Sequence, residues 1–254
     1  MVLTRAMQAC KGIGTGVWLV WHGFCGFART VSTRDPLAEA GLGEAMARFV
    51  WGPVVTLIGL AVLTGVIAGV AAGQVLQVYN VPLLIIAALA DALMRQILPL
   101  VVGVFASGSV SVELASRLGA LSLAREVDAL EAMGHDPVPR LLGPPIIAVL
   151  LASPVHMLIA ALSALTGAAI ALHLGANLAY HTFTQIALTG QTGHALLIGM
   201  GKALLFATIA LMVGATVGAK PVRAPAEIGR HAGRAFTTGL LAIFAAASLW
   251  AVLA

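Results

Sequence analysis

Two acid–base pairs at helical spacing are the first features of this chain that could do chemistry: Asp91 with Arg95, and Glu113 with Arg117. Residues four apart share one face of a helix, so each acid can meet its base. Two readings stand side by side. Either the pairs neutralise themselves and simply permit burial, or the four side chains line a cavity through which a lipid headgroup passes. Lys202 has no acid within a turn. It can snorkel to an interface, pair with another helix or meet an anionic headgroup.

Other chemistries lack their residues. His156 and His194 have no cysteine or carboxylate at ligand spacing, so neither a metal site nor a catalytic residue is assigned. Metal-assisted phosphoryl chemistry needs clustered acids. The ten acids here are scattered, apart from Glu126, Asp128, Glu131 and Asp136, which share one short segment. A phosphate-cradling loop is also missing, because Gly201-Lys202 is followed by Ala203 and has no earlier glycine in place. The chain itself is therefore expected to bind no cofactor. Cys10 and Cys25 give no disulfide framework.

The segment with the densest information is Leu121 to Pro137. It reads as a short amphipathic helix over 121–136, with Leu123, Val127 and Leu130 on one face and Arg125, Asp128 and Ala132 on another. Gly134 stands where a C-terminal cap is wanted, and Pro137 prevents continuation. One reading is a solvated connector between two buried helices. The sharper one is a docking helix, since an apolar stripe rimmed with charge suits a partner's groove.

The elements that position these residues follow from composition. Hydrophobic residues make up 60% of the chain and charged ones 9%, against about 25% charged in a soluble domain. Long uncharged runs rich in Ala, Leu, Gly and Val predict an all-α membrane bundle with spans near 52–78, 82–106, 142–172, 194–219 and 235–254. Pro144, Pro145 and Pro154 are expected to start or kink the third of these. Residues 1–50 are expected to form an N-terminal interfacial region, with Trp18, Trp21 and Phe24 at the headgroup boundary, ahead of a transmembrane domain at 51–254. A cleaved signal segment is the competing reading of that region.

Charge sets the expected orientation. Of the 14 Lys and Arg residues, 12 fall before residue 50, in a central loop at 107–141 or in a last loop at 220–234. The positive-inside rule then makes those regions cytoplasmic and the C-terminus external. The net charge of +4 reports orientation, so nucleic acid is not expected as a partner.

The run Glu126-Val127-Asp128-Ala129-Leu130-Glu131-Ala132-Met133-Gly134-His135-Asp136-Pro137 resembles the signature of MlaE-type (YrbE-type) permeases. Leu98-Pro99-Leu100-Val101, the 108–119 stretch, Gly201-Lys202-Ala203-Leu204-Leu205-Phe206, and Ala226-Glu227-Ile228-Gly229-Arg230 with Arg234-Ala235 resemble its other blocks in the right order. Two departures stand out: Gly108-Ser109 where the family has Gly-Arg, and Arg117-Leu118-Gly119 where it has Glu-Leu-Gly.

The resemblance implies the inner-membrane subunit of an ABC transporter for phospholipids or other hydrophobic molecules. It implies a separate ATPase that uses ATP and Mg, a second permease copy (identical or a close paralogue) and an Mce-domain partner. The ATPase would grip Leu123, Arg125, Glu126, Val127, Asp128, Leu130, Glu131, Met133, Gly134, Asp136 and Pro137. The alternatives are a stand-alone ion-coupled transporter, which would want unpaired acids and repeat symmetry, and a membrane-embedded lipid enzyme.

Overall fold

The computed structural model describes residues 2–32, 36–79, 81–188 and 192–253. Its elements are α1 (Val2–Ser32), α2 (Pro36–Met46), α3 (Val54–Tyr79), α4 (Pro82–Ala92), α5 (Leu98–Ala106), α6 (Val112–Leu123), α7 (Glu126–Ala132), α8 (Pro137–Ala176), α9 (Tyr180–Leu188), α10 (Thr192–Gly218) and α11 (Pro225–Leu253). No strand occurs among the described residues. π-Helical turns at Ala47–Trp51, Leu93–Ile97 and Ser107–Ser111 bridge successive helices.

Among the described residues five helices are long and apolar enough to cross a membrane: Gly41–Tyr79, Leu84–Leu123, Pro137–Ala176, Gly193–Gly218 and Pro225–Val252. The expected number holds, but the helices overrun the expected ends. Helix continues to Leu123, so the expected loop at 107–141 shrinks to the short stretch around α7. Likewise α11 begins at Pro225, inside the expected loop at 220–234. Pro139, Pro144, Pro145 and Pro154 all lie within α8, which runs unbroken from Pro137. Between the spans expected near 142–172 and 194–219 stands a further helix, α9.

The chain divides into two compact units. The first takes residues 1–52, 103–152 and 206–254. Its core holds Phe49, Leu114, Ile146 and Leu211. Polar glue supplements this packing: Ser107 and Ser111 are fully buried, and their hydroxyls donate to the carbonyls of Phe236 (3.0 Å) and Ala210 (2.9 Å). Gly239 makes room for both, since a Cβ there would lie 2.6 Å from Ser107 Oγ. Small residues and hydroxyls that let backbones approach are the usual means of joining helices in lipid.

The same unit carries α1. Its buried positions, Gly16, Gly23 and Phe27, stand seven and four residues apart on one face, while Trp18, Trp21 and Phe24 lie open on another. Helix α1 thus has one face packed into the unit and one face open.

The second unit takes residues 53–102 and 153–205. Here α3 and α8 cross with backbones in contact. A Cβ on Gly69 would meet Ala168 O at 2.8 Å and Ala171 Cβ at 2.9 Å, and Gly65 and Gly167 are held as closely against Ala164 and Val62. Glycines spaced by four along α3 supply this flat surface. Ile86, Leu172 and Phe183 fill the adjoining core. Val55, Ile67 and Val78 on α3 remain exposed, as apolar side chains facing lipid can be.

Candidate functional site

The segment from 121 to 137 is built almost entirely by local rules. Helix α6 tightens at its end, where Arg125 N–H donates to Ser122 O at 3.2 Å, and Arg125 then takes a left-handed conformation with φ 56°. This break separates Leu123, the last residue of α6, from the seven-residue α7. The single helix expected over 121–136 is therefore a helix end, a sharp turn and a second helix. Glu126 and Asp128 occupy the first turn of α7, where carboxylates complement the helix dipole.

Gly134 ends α7 in a Schellman arrangement: His135 N–H donates to Leu130 O (3.0 Å) and Gly134 N–H to Glu131 O (2.9 Å). With φ at 76°, this position needs the freedom of glycine. Asp136 then caps α8, its Oδ1 accepting from Val138 N–H at 3.0 Å, and Pro137 takes the first helical position. Gly134, Asp136 and Pro137 thus shape the turn, and the residues before them face outward.

No residue of α7 is buried. Arg125, Glu126, Asp128, Glu131 and Met133 are exposed, while Val127 and Leu130 are half-covered by the chain itself. The outward surface is acidic with Met133 at its end, and the apolar stripe is partly turned inward.

Asp136 has a second partner. Its Oδ2 lies 2.7 Å from His22 Nε2 on α1. A carboxylate only accepts, so the imidazole carries its hydrogen on that nitrogen. This bond, joined by that from Val138, holds the Asp136 carboxyl below its ordinary value against the opposing effect of burial. Sequence reasoning did not single out His22, because its partner is 114 residues away.

The charges placed in the spans separate into two groups. In the second unit Arg95 Nε donates to Asp91 Oδ1 at 2.6 Å, as the spacing predicted. Lys202 Nζ reaches the backbone carbonyl of Arg95 at 2.9 Å, so three of the five charges converge on the π-helical turn at Leu93–Ile97. Together they carry one excess positive charge.

In the first unit Glu113 pairs with Arg48 Nη1 at 2.9 Å, and not with Arg117. Arg48 also donates through Nη2 to Glu44 at 2.7 Å. Arg48 sits in the π-helical turn at Ala47–Trp51 and brings its guanidinium between the two acids. Arg117 forms no ion pair among the described residues. The four-residue spacing of Glu44 and Arg48 was the available signal, but it lies in the N-terminal region, outside the expected spans.

Against models of protein families, the chain matches the one described as Permease MlaE over residues 42–253. A comparison with curated proteins finds no match.

Proposed function

The chain belongs to the MlaE permease family and is a multi-pass membrane protein, and on that premise we propose that it moves phospholipids or related hydrophobic molecules under the drive of a separate ATPase. The ATPase uses ATP and Mg and grips the outward face of α7 through Arg125, Glu126, Asp128, Glu131 and Met133. Leu123, Val127 and Leu130 support that face from behind, and Gly134, Asp136 and Pro137 aim it. The observation that carries this reading is an acidic helix with no buried residue, set between two long helices by a left-handed turn and a double cap.

In this reading two permease copies, identical or closely paralogous, enclose the lipid path, and an Mce-domain protein receives or delivers the lipid. Asp91, Arg95 and Lys202, with their excess positive charge, suit an anionic headgroup. Glu113 and Arg117 line the path nearer α7. Helix α1 forms a membrane-surface segment ahead of the transmembrane domain. The basic residues Arg125, Lys220 and Arg223, in the short connections flanking α7 and α11, support a cytoplasmic position for α7 in the bacterial inner membrane, with the N-terminus inside and the C-terminus outside.

A stand-alone ion-coupled transporter is less well supported, since Asp91 is neutralised by Arg95 and Glu113 by Arg48. The test is reconstitution in liposomes with a separate ABC ATPase. ATP-dependent transfer of a fluorescent phospholipid, absent with a non-hydrolysable nucleotide, is the expected result. Transfer that needs only an ion gradient would overturn it.

A further inference from the structure

One carboxylate stands at the centre of the coupling segment. Asp136 follows the cap of α7, caps α8 with Oδ1 and binds His22 of α1 with Oδ2. Three helices therefore meet on a single side chain, and one of them, α1, lies ahead of the segment that matches the permease family.

The contact is not confined to that bond. A Cβ on Gly23 would lie 2.8 Å from Ile146 Cδ1, one on Gly26 would collide with Pro139, and one on Gly143 would collide with Phe27. Glycines stand where α1 and the first turns of α8 approach, so the two lie flush over about two turns of α8. Across the rest of α1, Trp18 stacks on the His22 ring, with centroids 5.0 Å apart and planes 6° apart, and Trp21 and Phe24 stand open. Indole rings so placed suit the headgroup layer.

We propose that His22 is a positioning residue of the transport cycle: α1 is a strap across the start of α8, and the His22–Asp136 bond is the latch through which movement of α7 is passed to a membrane-surface helix. The pair is half-exposed, with side-chain exposures of 41% and 51%, and exposed pairs add little to stability. Its contribution is directional. It fixes the angle between the capped end of α7 and a helix seated on the membrane, so a push on α7 cannot be absorbed by the turn at 133–136.

This inference rests on the coupling role proposed for α7, and two variants separate them. His22→Phe keeps a ring for Trp18 to stack on but removes the donor, and His22→Gln restores a donor.

In the permease alone, embedded in nanodiscs, backbone hydrogen exchange over 134–139 is expected to quicken about two- to five-fold in His22→Phe, the factor an exposed pair can supply. It should return to the native rate in His22→Gln. With the ATPase bound, His22→Phe is expected to hydrolyse ATP but move at least about twofold less lipid per ATP, the loss expected when a group that sets orientation is released, and His22→Gln to recover it. Native exchange in His22→Phe, or failure of His22→Gln to rescue, overturns the latch. Native lipid moved per ATP in His22→Phe overturns its part in coupling. If the native complex moves no lipid at all, the transporter reading fails instead, and the exchange comparison still decides the latch.

Discussion

Reversing the charge of Glu131 separates a docking helix from a solvated connector more cleanly than any other change in α7. Glu131 is exposed and lies in the last turn, one residue before Ala132, where the helix dipole presents its negative end. A carboxylate there is mildly unfavourable and a lysine favourable, by about 0.3–1 kcal/mol. Exposed substitutions otherwise stay within about 0.5 kcal/mol. Glu131→Lys should therefore fold and insert as well as the native chain. At an interface, placing like charges together costs far more, and a loss of about 1.4 kcal/mol is already tenfold in affinity. The expected outcome is an unchanged melting transition in detergent with at least about tenfold weaker binding of the ATPase, measured by titration onto nanodisc-embedded permease.

Other substitutions in the segment confuse the two effects. Asp128→Lys removes a favourable first-turn carboxylate, and Leu130→Asp alters a half-covered side chain whose carbonyl receives the Schellman bond. Native affinity in Glu131→Lys, or a melting transition lowered together with affinity, would refute the reasoning that this face is free to bind.

Two further outcomes follow from the packing and the turn. Gly69→Ala should destabilise by about 1–3 kcal/mol, because its methyl group would press on Ala168 and Ala171. Gly59→Ala, on the same helix with nothing within 4 Å, should cost nothing; thermal unfolding of both proteins checks the contrast. The Asp136 carboxyl is held below its ordinary value, near 3.8, first by His22 and then by the Val138 amide. A depressed acid contributes its stability above that ordinary value and loses it as pH falls through the lower native one. Exchange at Val138, corrected for its intrinsic rate, should thus be level from pH 7 to about 5 and rise below about 4; an Asp136→Asn protein should lack the rise.

The all-α bundle and the five membrane-length apolar helices among the described residues were legible because lipid demands long apolar runs, and such runs are visible without any structure. Helix ends were not legible by the same means. Hydropathy measures the thickness of the apolar layer, and a helix stops where its hydrogen bonds and caps stop. Helix α6 carries Glu113 and Arg117 on to Leu123, and α11 starts at Pro225 and holds Glu227 and Arg230 in its first two turns, with no loss of helix propensity at those charges. Gly134 and Pro137 were readable because capping is local. The left-handed Arg125 was not, since arginine offers no sign that it will adopt φ above zero.

The charged pairs show where spacing stops being informative. Asp91 and Arg95 meet as four-residue spacing predicts, yet Glu113 and Arg117 have the same spacing and do not. A helical pair of this kind contributes only about 0.2–0.5 kcal/mol, so any better-placed base will displace it. Arg48 is such a base: it is held by Glu44 from its own helix and delivered by a π-helical turn to a carboxylate 65 residues away. The same logic explains the serine-rich run at 107–111. Its Ser107 and Ser111 bond to carbonyls of α11 and α10 across a gap that Gly239 keeps open. Spacing rules see one helix at a time, and in lipid the choice among near-equal local pairings falls to whichever neighbouring helix brings a polar group within reach.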